Sequence, residues 1–486
     1  MRTKWVNFFQ HVTSGVITGL LAISTLPASA QFFEFDAARA KDLRDLNLNS
    51  RLMEHVAAKN LSKLKIAILD NGFGTFEAGE KTLPASAQII SNPAQALGYK
   101  DVQGNPRLFL NDHGLAMAQT VWAMTGLHKK NAPQLFLLNA NGWTNFKYAV
   151  DWSIKNNVDI VLYAQNFEIG NMNGTGFINA KVNEATNAGI FWINAAGNYG
   201  QSVYNGSLQK NKAGEIVFPF EGEKSRTSLR FRVEKDSTSL ILTTTWNDLK
   251  NSETEATTKD LDLVLLDSKG KAVTTSRVDD KGQKTQVPVI VNFRSDGRGE
   301  KIADSKDTRA YSTLPREQIE MTLNRGVYQI QLKDRSQNFS KKDKVRVMVY
   351  SQRPYDAESN SRGIDFIDRT TGYEVFTPGD NPNVITVGDH SPISSLGPNI
   401  DRLIKPDIFV ADSRIELSDG RANLQGSSSA AAIFAGTLSL MILSDPDLDR
   451  AELKNFIKTL QSLQNTDIPT IANPMMSNDD NDNSQN

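Results

Sequence analysis

Three serines stand in a row at Ser427, Ser428 and Ser429, within "LQGSSSAAAIFAG". Ser and Gly ahead of small, apolar residues also mark an ordinary helix start, so chemistry here needs partners elsewhere in the chain. A serine hydroxyl becomes a nucleophile when an imidazole takes its proton, and a carboxylate must fix that imidazole's tautomer. The chain has no cysteine and five histidines: His11, His55, His113, His128 and His390. Thiol nucleophiles, disulfides and Cys-type zinc sites are thereby excluded, and no two histidines sit four apart as a helical zinc pair requires. His113 opens the helix-like run "HGLAMAQTVWAM", and Asp70 closes the strand-like run "KIAILD". Asp70, His113 and a serine of the cluster, in that order, form one arrangement able to carry acyl transfer.

Competing motifs fail on detail. "GSSSA" is one residue from the nucleophile elbow of α/β-hydrolases, but that fold needs a histidine after the serine, and the last one is His390. "GTFEAGEKT" nearly spells a phosphate-binding loop, yet Glu80 stands where Lys must follow the second Gly, and a carboxylate there repels phosphate. Ser62 and Lys65 have the Ser-x-x-Lys spacing but lead into a strand, without the partner motifs.

The elements that must position these residues alternate. "KIAIL", "QLFLL", "DIVLYA" and "GIFWIN" read as buried parallel strands, with helix-like segments between them. This predicts an α/β domain, a parallel sheet flanked by helices, over 61–204 and resuming over 361–474 with "VITVG" and a final amphipathic helix at "DRAELKNFIKTLQ". Between them, over 205–360, strict alternation in "SLRFRVEK" and "KVRVMVYS" predicts an inserted antiparallel β-sandwich domain, and Asn324, Arg325 and Gly326 predict a hairpin turn. Asp260 and Asp262 in "DLDL" read as a solvated strand face; structural calcium has no clear motif, and no cofactor is expected.

Arg2 and Lys4, a short apolar stretch, and Ala28 and Ala30 read as a signal peptide over 1–30, cleaved before Gln31. A secreted or periplasmic chain without a membrane span is expected, with an N-terminal helical segment over 31–60 and a disordered tail over 475–486. The formal charge is −1, from 54 Lys+Arg against 55 Asp+Glu, so no basic excess points to nucleic acid.

The surroundings of the three candidates carry a resemblance. "AILDNGF" resembles the Asp-Thr-Gly segment of subtilisin-like serine proteases, "DHGLAMA" their His-Gly-Thr-x-x-Ala segment, and "NAAGNYG" their Ala-Ala-Gly-Asn segment. "NPNVITVGD" and "IKPDIFVAD" resemble two further stretches, and "GSSSAAAIFAG" resembles Gly-Thr-Ser-x-Ala-x-Pro. The likeness covers roughly 60–200 and 375–440. It implies a subtilisin-like fold, a catalytic triad of Asp70, His113 and Ser428, and an oxyanion-hole amide on Asn198. It further implies substrate binding along Ala164, Gln165 and Asn166 and at Gly197, and hydrolysis of polypeptide substrates; a monomer is expected. The chain departs from the pattern at Leu115, at Ala432, and at residues 164–166, where the family has Ser-Leu-Gly. The departures keep a second reading open, a non-catalytic binding or scaffold protein of the same shape.

Overall fold

The computed structural model describes residues 63–73, 83–92, 99–100, 106–107, 112–125, 133–278, 283–291, 314–351, 362–416 and 423–471, a few isolated positions apart. The expected signal peptide over 1–30, the expected helical segment over 31–60, the phosphate-loop look-alike and the expected tail over 475–486 lie outside the described residues.

The sequence forms a parallel sheet of eight strands. These are β1 (Lys65–Asp70), β2 (Gln88–Ile90), β3 (Gln134–Asn139), β4 (Ile160–Tyr163), β5 (Phe191–Ala195), β6 (Ile385–Asp389), β7 (Ile408–Val410) and β8 (Thr470–Ile471). Their order is β2-β3-β1-β4-β5-β6-β7-β8, every neighbouring pair parallel. From β1 the chain runs to one edge, returns, and crosses to the other side at β4. β1 therefore sits at the switch point, where open α/β sheets leave a crevice at the carboxyl ends of their strands.

Among the described residues five helices cover the sheet: α1 (His113–Thr125), α2 (Gly142–Lys155), α3 (Phe177–Asn187), α4 (Ser427–Ser444) and α5 (Arg450–Gln464). Strand side chains alternate between the two faces. Ile66 and Ile68 of β1 join the apolar cluster under α1, α4 and α5, while Ala67 and Leu69 join the one under α2 and α3. Asp70 continues the Ile66–Ile68 parity, so its carboxylate falls on the α1 face. Ala430, Ala431, Ala432, Ile433, Phe434 and Ala435 of α4 are all at most 1% exposed, as a helix apolar on every side must be. Ala432 lets the helix run on where the family's proline would remove a backbone donor. α4 packs directly on α1: a Cβ at Gly436 would stand 2.3 Å from Met124 Cβ, so only glycine permits this approach.

Among the described residues the inserted segment forms two larger antiparallel sheets, one of five strands and one of four, beside two two-stranded ribbons. Leu229, Phe231, Leu263 and Ile330 of the first meet Leu240, Leu242, Ile319 and Val347 of the second in one buried cluster. The sheets take in Val203–Ser207 and Ile364–Asp365, reaching slightly past the expected 205–360. The expected hairpin at Asn324 is not formed. Arg316–Leu323 pairs with Thr238–Trp246, whereas Gly326–Asp334 pairs with Leu229–Val233 and Leu261–Asp267 in the other sheet. The turn signal fixed the reversal but not the partner, because both strands bury one face against the same core and find their neighbours elsewhere. A second crossover lies beside it, the Arg325 N–H donating to Asp236 Oδ1 at 2.8 Å. The solvated-face reading of Asp260 and Asp262 also fails. Both are 2% exposed, and Arg335 Nε reaches Asp262 Oδ2 at 2.8 Å.

The insert docks on the parallel-sheet unit through polar contacts. Arg346 is buried, donates to the carbonyls of Tyr373 at 2.6 Å and Val375 at 3.2 Å, and lies over the Phe376 ring. Asn171 accepts from the Leu249 N–H at 2.7 Å and donates to the Leu249 carbonyl at 2.8 Å.

Candidate active site

β1 ends at Asp70, at the mouth of the switch-point crevice, fully buried. An ionised carboxylate without water is tolerable only when donors surround it. Here Oδ1 accepts the Asn71 N–H at 2.7 Å and Gln165 Nε2 at 3.0 Å, and Oδ2 lies 2.8 Å from His113 Nδ1. His113 is the first residue of α1 and keeps 26% of its side chain exposed. Burial pulls the imidazole down, but attraction to the Asp70 carboxylate and the hydrogen bond with it outweigh burial and leave it above the ordinary 6.5. Gly114 makes this closeness possible, since a Cβ there would stand 2.6 Å from Asp70 Cβ. Leu115 has its N–H on the Gly72 carbonyl at 2.8 Å and its side chain in the core.

Ser428 lies in the first turn of α4. Its hydroxyl donates to the Ala164 carbonyl at 3.1 Å, immediately past the end of β4. Its N–H, in the first turn, has no acceptor within the helix and sits at the positive end of the helix dipole. Ser427 and Ser429 are buried, whereas Ser428 is half-exposed.

Asn198 follows β5 and faces the same helix end. Its Oδ1 accepts the Ser427 N–H at 3.0 Å and the Ser427 hydroxyl at 3.1 Å. A backbone N–H can only donate, so the amide oxygen must face the helix and Nδ2 is left to point away as a donor. Gly197, at φ +102°, gives its N–H to Ser427 Oγ at 2.9 Å. Gly426, at φ +128°, leaves just enough room for the Asn198 amide. Ser427 is thus the lynchpin of this junction, a role its place in the serine cluster did not disclose. Ser413 is a second such residue: its Oγ accepts the Gly426 N–H at 2.9 Å and donates to Asp389, the last residue of β6.

Of the expected substrate-binding residues, Ala164 holds the Ser428 hydroxyl, while Asn166 Oδ1 accepts from Asn194 Nδ2 at 3.2 Å. The side chain of Gln165 is turned inward onto Asp70. Among the described residues no group of three or more His, Asp or Glu side chains is gathered as metal ligands would be, and no helix is long and apolar enough to cross a membrane.

No family model matches the sequence. Over 151 residues, 29% of the chain, it is 27% identical to a thermostable alkaline protease of Halalkalibacterium halodurans. The match spans 37% of that relative's length. Among solved structures, the serine protease MycP1, a component of the type VII (ESX-1) secretion system, overlays 84% of this chain and 80% of its own at 11% identity and a TM-score of 0.31. A lanthipeptide protease overlays 34% of this chain and 45% of its own at 16% identity and a TM-score of 0.21. Overlays this loose carry no argument about the chain.

Proposed function

We propose that the protein is an exported serine endopeptidase that cleaves peptide bonds with Asp70, His113 and Ser428. The observation that supports this most is the 2.8 Å contact between His113 Nδ1 and the buried Asp70 carboxylate at the sheet's switch point. Ser428 stands at the head of the helix packed against His113's own. In this reading the Ser428 hydroxyl leaves the Ala164 carbonyl by rotating about Cα–Cβ, one staggered well to the next. Its oxygen attacks the scissile carbonyl carbon as its proton passes to His113 Nε2. The tetrahedral oxyanion takes hydrogen bonds from Asn198 Nδ2 and the Ser428 N–H. Collapse breaks the C–N bond, and the leaving amine takes the proton from His113. Water, deprotonated by the same imidazole, then attacks the acyl carbon, and the imidazolium returns that proton to Ser428 Oγ as the ester C–O bond breaks. Asp70 stays ionised, holds the tautomer and stabilises the imidazolium. The two antiparallel sheets with their shared core are the expected β-sandwich insert in this reading, and residues 1–30 direct export.

The second reading, a non-catalytic protein of this shape, has one observation on its side: the Ser428 hydroxyl bonds to Ala164. A fluorophosphonate probe decides between the two. The proteolytic reading expects Ser428 to be labelled, and Ser428→Ala to abolish both labelling and peptide cleavage. Labelling that survives this substitution, or a mature protein that neither labels nor cleaves, overturns it.

A further inference from the structure

Two side chains at which the chain departs from the family segments quoted above meet over Asp70. Asn71 stands where that pattern has Thr after the aspartate, and Gln165 where it has Leu in Ser-Leu-Gly. They are 94 positions apart, yet Gln165 Nε2 lies 3.0 Å from Asn71 Oδ1 and 3.0 Å from Asp70 Oδ1. The orientation of this amide follows from chemistry. A carboxylate has only acceptors, so the nitrogen must face Asp70, and its second hydrogen serves Asn71. Adjacency of Ala164 and Gln165 means that one short segment leaving β4 accepts the Ser428 hydroxyl at one residue and donates to Asp70 at the next.

We propose that Gln165 is a positioning residue for the Asp70–His113 pair, its amide locking the carboxylate's rotation so that Oδ2 meets Nδ1, with Asn71 holding the amide in turn. The proposal rests on the proteolytic reading of that pair. An Asp carboxylate turns broadly about its last side-chain bond. The Asn71 N–H and the Gln165 amide converge on Oδ1, leaving Oδ2 to His113. With the carboxylate so held, Oδ2 keeps its hydrogen bond to the imidazole. Among the described residues, Tyr163 from β4 faces the Asp70 charge. Asp112 precedes His113 in the chain, and the first turn of α4 brings only the hydroxyls of Ser427, Ser428 and Ser429.

The test follows the His113 ring by NMR titration of the full-length protein, with His113→Gln to assign the signal, in wild type, Gln165→Leu and Gln165→Met. Gln165→Leu removes the donor, and Gln165→Met, nearly the same length, removes it too, neither adding a charge. Both move the His113 titration to lower pH, because a carboxylate free to turn loosens its contact with Nδ1. Gln165→Leu also lowers kcat about 10- to 100-fold while KM changes little, the loss expected for one hydrogen bond to a charged group. If only one variant folds, its titration suffices. A residue that merely fills space would lower activity without moving the titration. An active wild type whose His113 titrates unchanged or higher in the variants overturns the positioning role alone. A wild type without peptidase activity overturns the proteolytic reading and the role with it.

Discussion

Gly426→Ala tests the junction between Asn198 and the head of α4. The new Cβ would stand 2.8 Å from Asn198 Oδ1, 2.9 Å from Nδ2 and 3.1 Å from Cγ, below the separation real Cβ atoms tolerate. The obstacle is an amide already fixed by two hydrogen bonds from Ser427, so the amide must yield. The φ of +128° adds strain of about 1–3 kcal/mol for any residue with a Cβ. Breaking the two Ser427 bonds costs about 0.5–1.5 kcal/mol each. The stability loss is therefore roughly 2–6 kcal/mol, read as a lowered midpoint in denaturant. In the proposed mechanism, displacing the Asn198 donor removes an oxyanion partner, with an expected fall of about 100- to 1,000-fold in kcat. Steady-state cleavage of a peptide substrate in a double-mutant cycle with Asn198→Ala separates the two effects. Once the amide is gone the clash is gone, so Gly426→Ala should then lower kcat little further, while the φ strain still lowers stability. Fully additive losses in kcat, or a Gly426→Ala enzyme with wild-type kcat, would refute the claim that Asn198 is the displaced group.

In the proteolytic reading, the raised His113 titration places the acid limb of kcat/KM above pH 6.5, because only the neutral imidazole accepts the serine proton. Asp70→Asn should shift that limb to lower pH and cut kcat about 10,000-fold, by analogy with triad aspartates elsewhere; an unmoved limb contradicts the pairing. Because His113 is raised in the folded state, its contribution to stability is present at low pH and fades as pH climbs through that raised value, so wild type should lose stability relative to His113→Gln over this window. Burial lifts Glu374 from 4.5 to about 7, against donors that include the Leu396 N–H. The same sign applies: its contribution is lost as pH rises from about 4.5 to 7, and denaturant unfolding should find Glu374→Gln gaining on wild type across that range. Arg346→Met removes the guanidinium between the insert and the parallel-sheet unit, leaving the Tyr373 and Val375 carbonyls without it. A loss of about 2–5 kcal/mol in denaturant unfolding is expected, and a change under 0.5 kcal/mol would show that the contact is not structural.

The sequence by itself determined the helices of the parallel-sheet unit, its strands β1 and β3 to β6, and the order of the candidate site, but not the strands β2, β7 and β8. Buried parallel strands are continuous apolar runs and amphipathic helices keep their own period, so "KIAIL" and "DRAELKNFIKTLQ" disclose their elements locally. Asp70, His113, Asn198 and Ser428 were legible because each is embedded in a short segment of fixed composition. Only the tertiary structure decided who touches whom. Gln165 turns inward because Asp70, buried at the end of β1, needs donors that no nearby residue supplies in full. Asn324, Arg325 and Gly326 join two sheets because strand pairing is settled by long-range burial, to which a turn motif is blind. Asp260 and Asp262 are buried for the same reason, as alternation shows that a strand has two faces but not whether the second meets water.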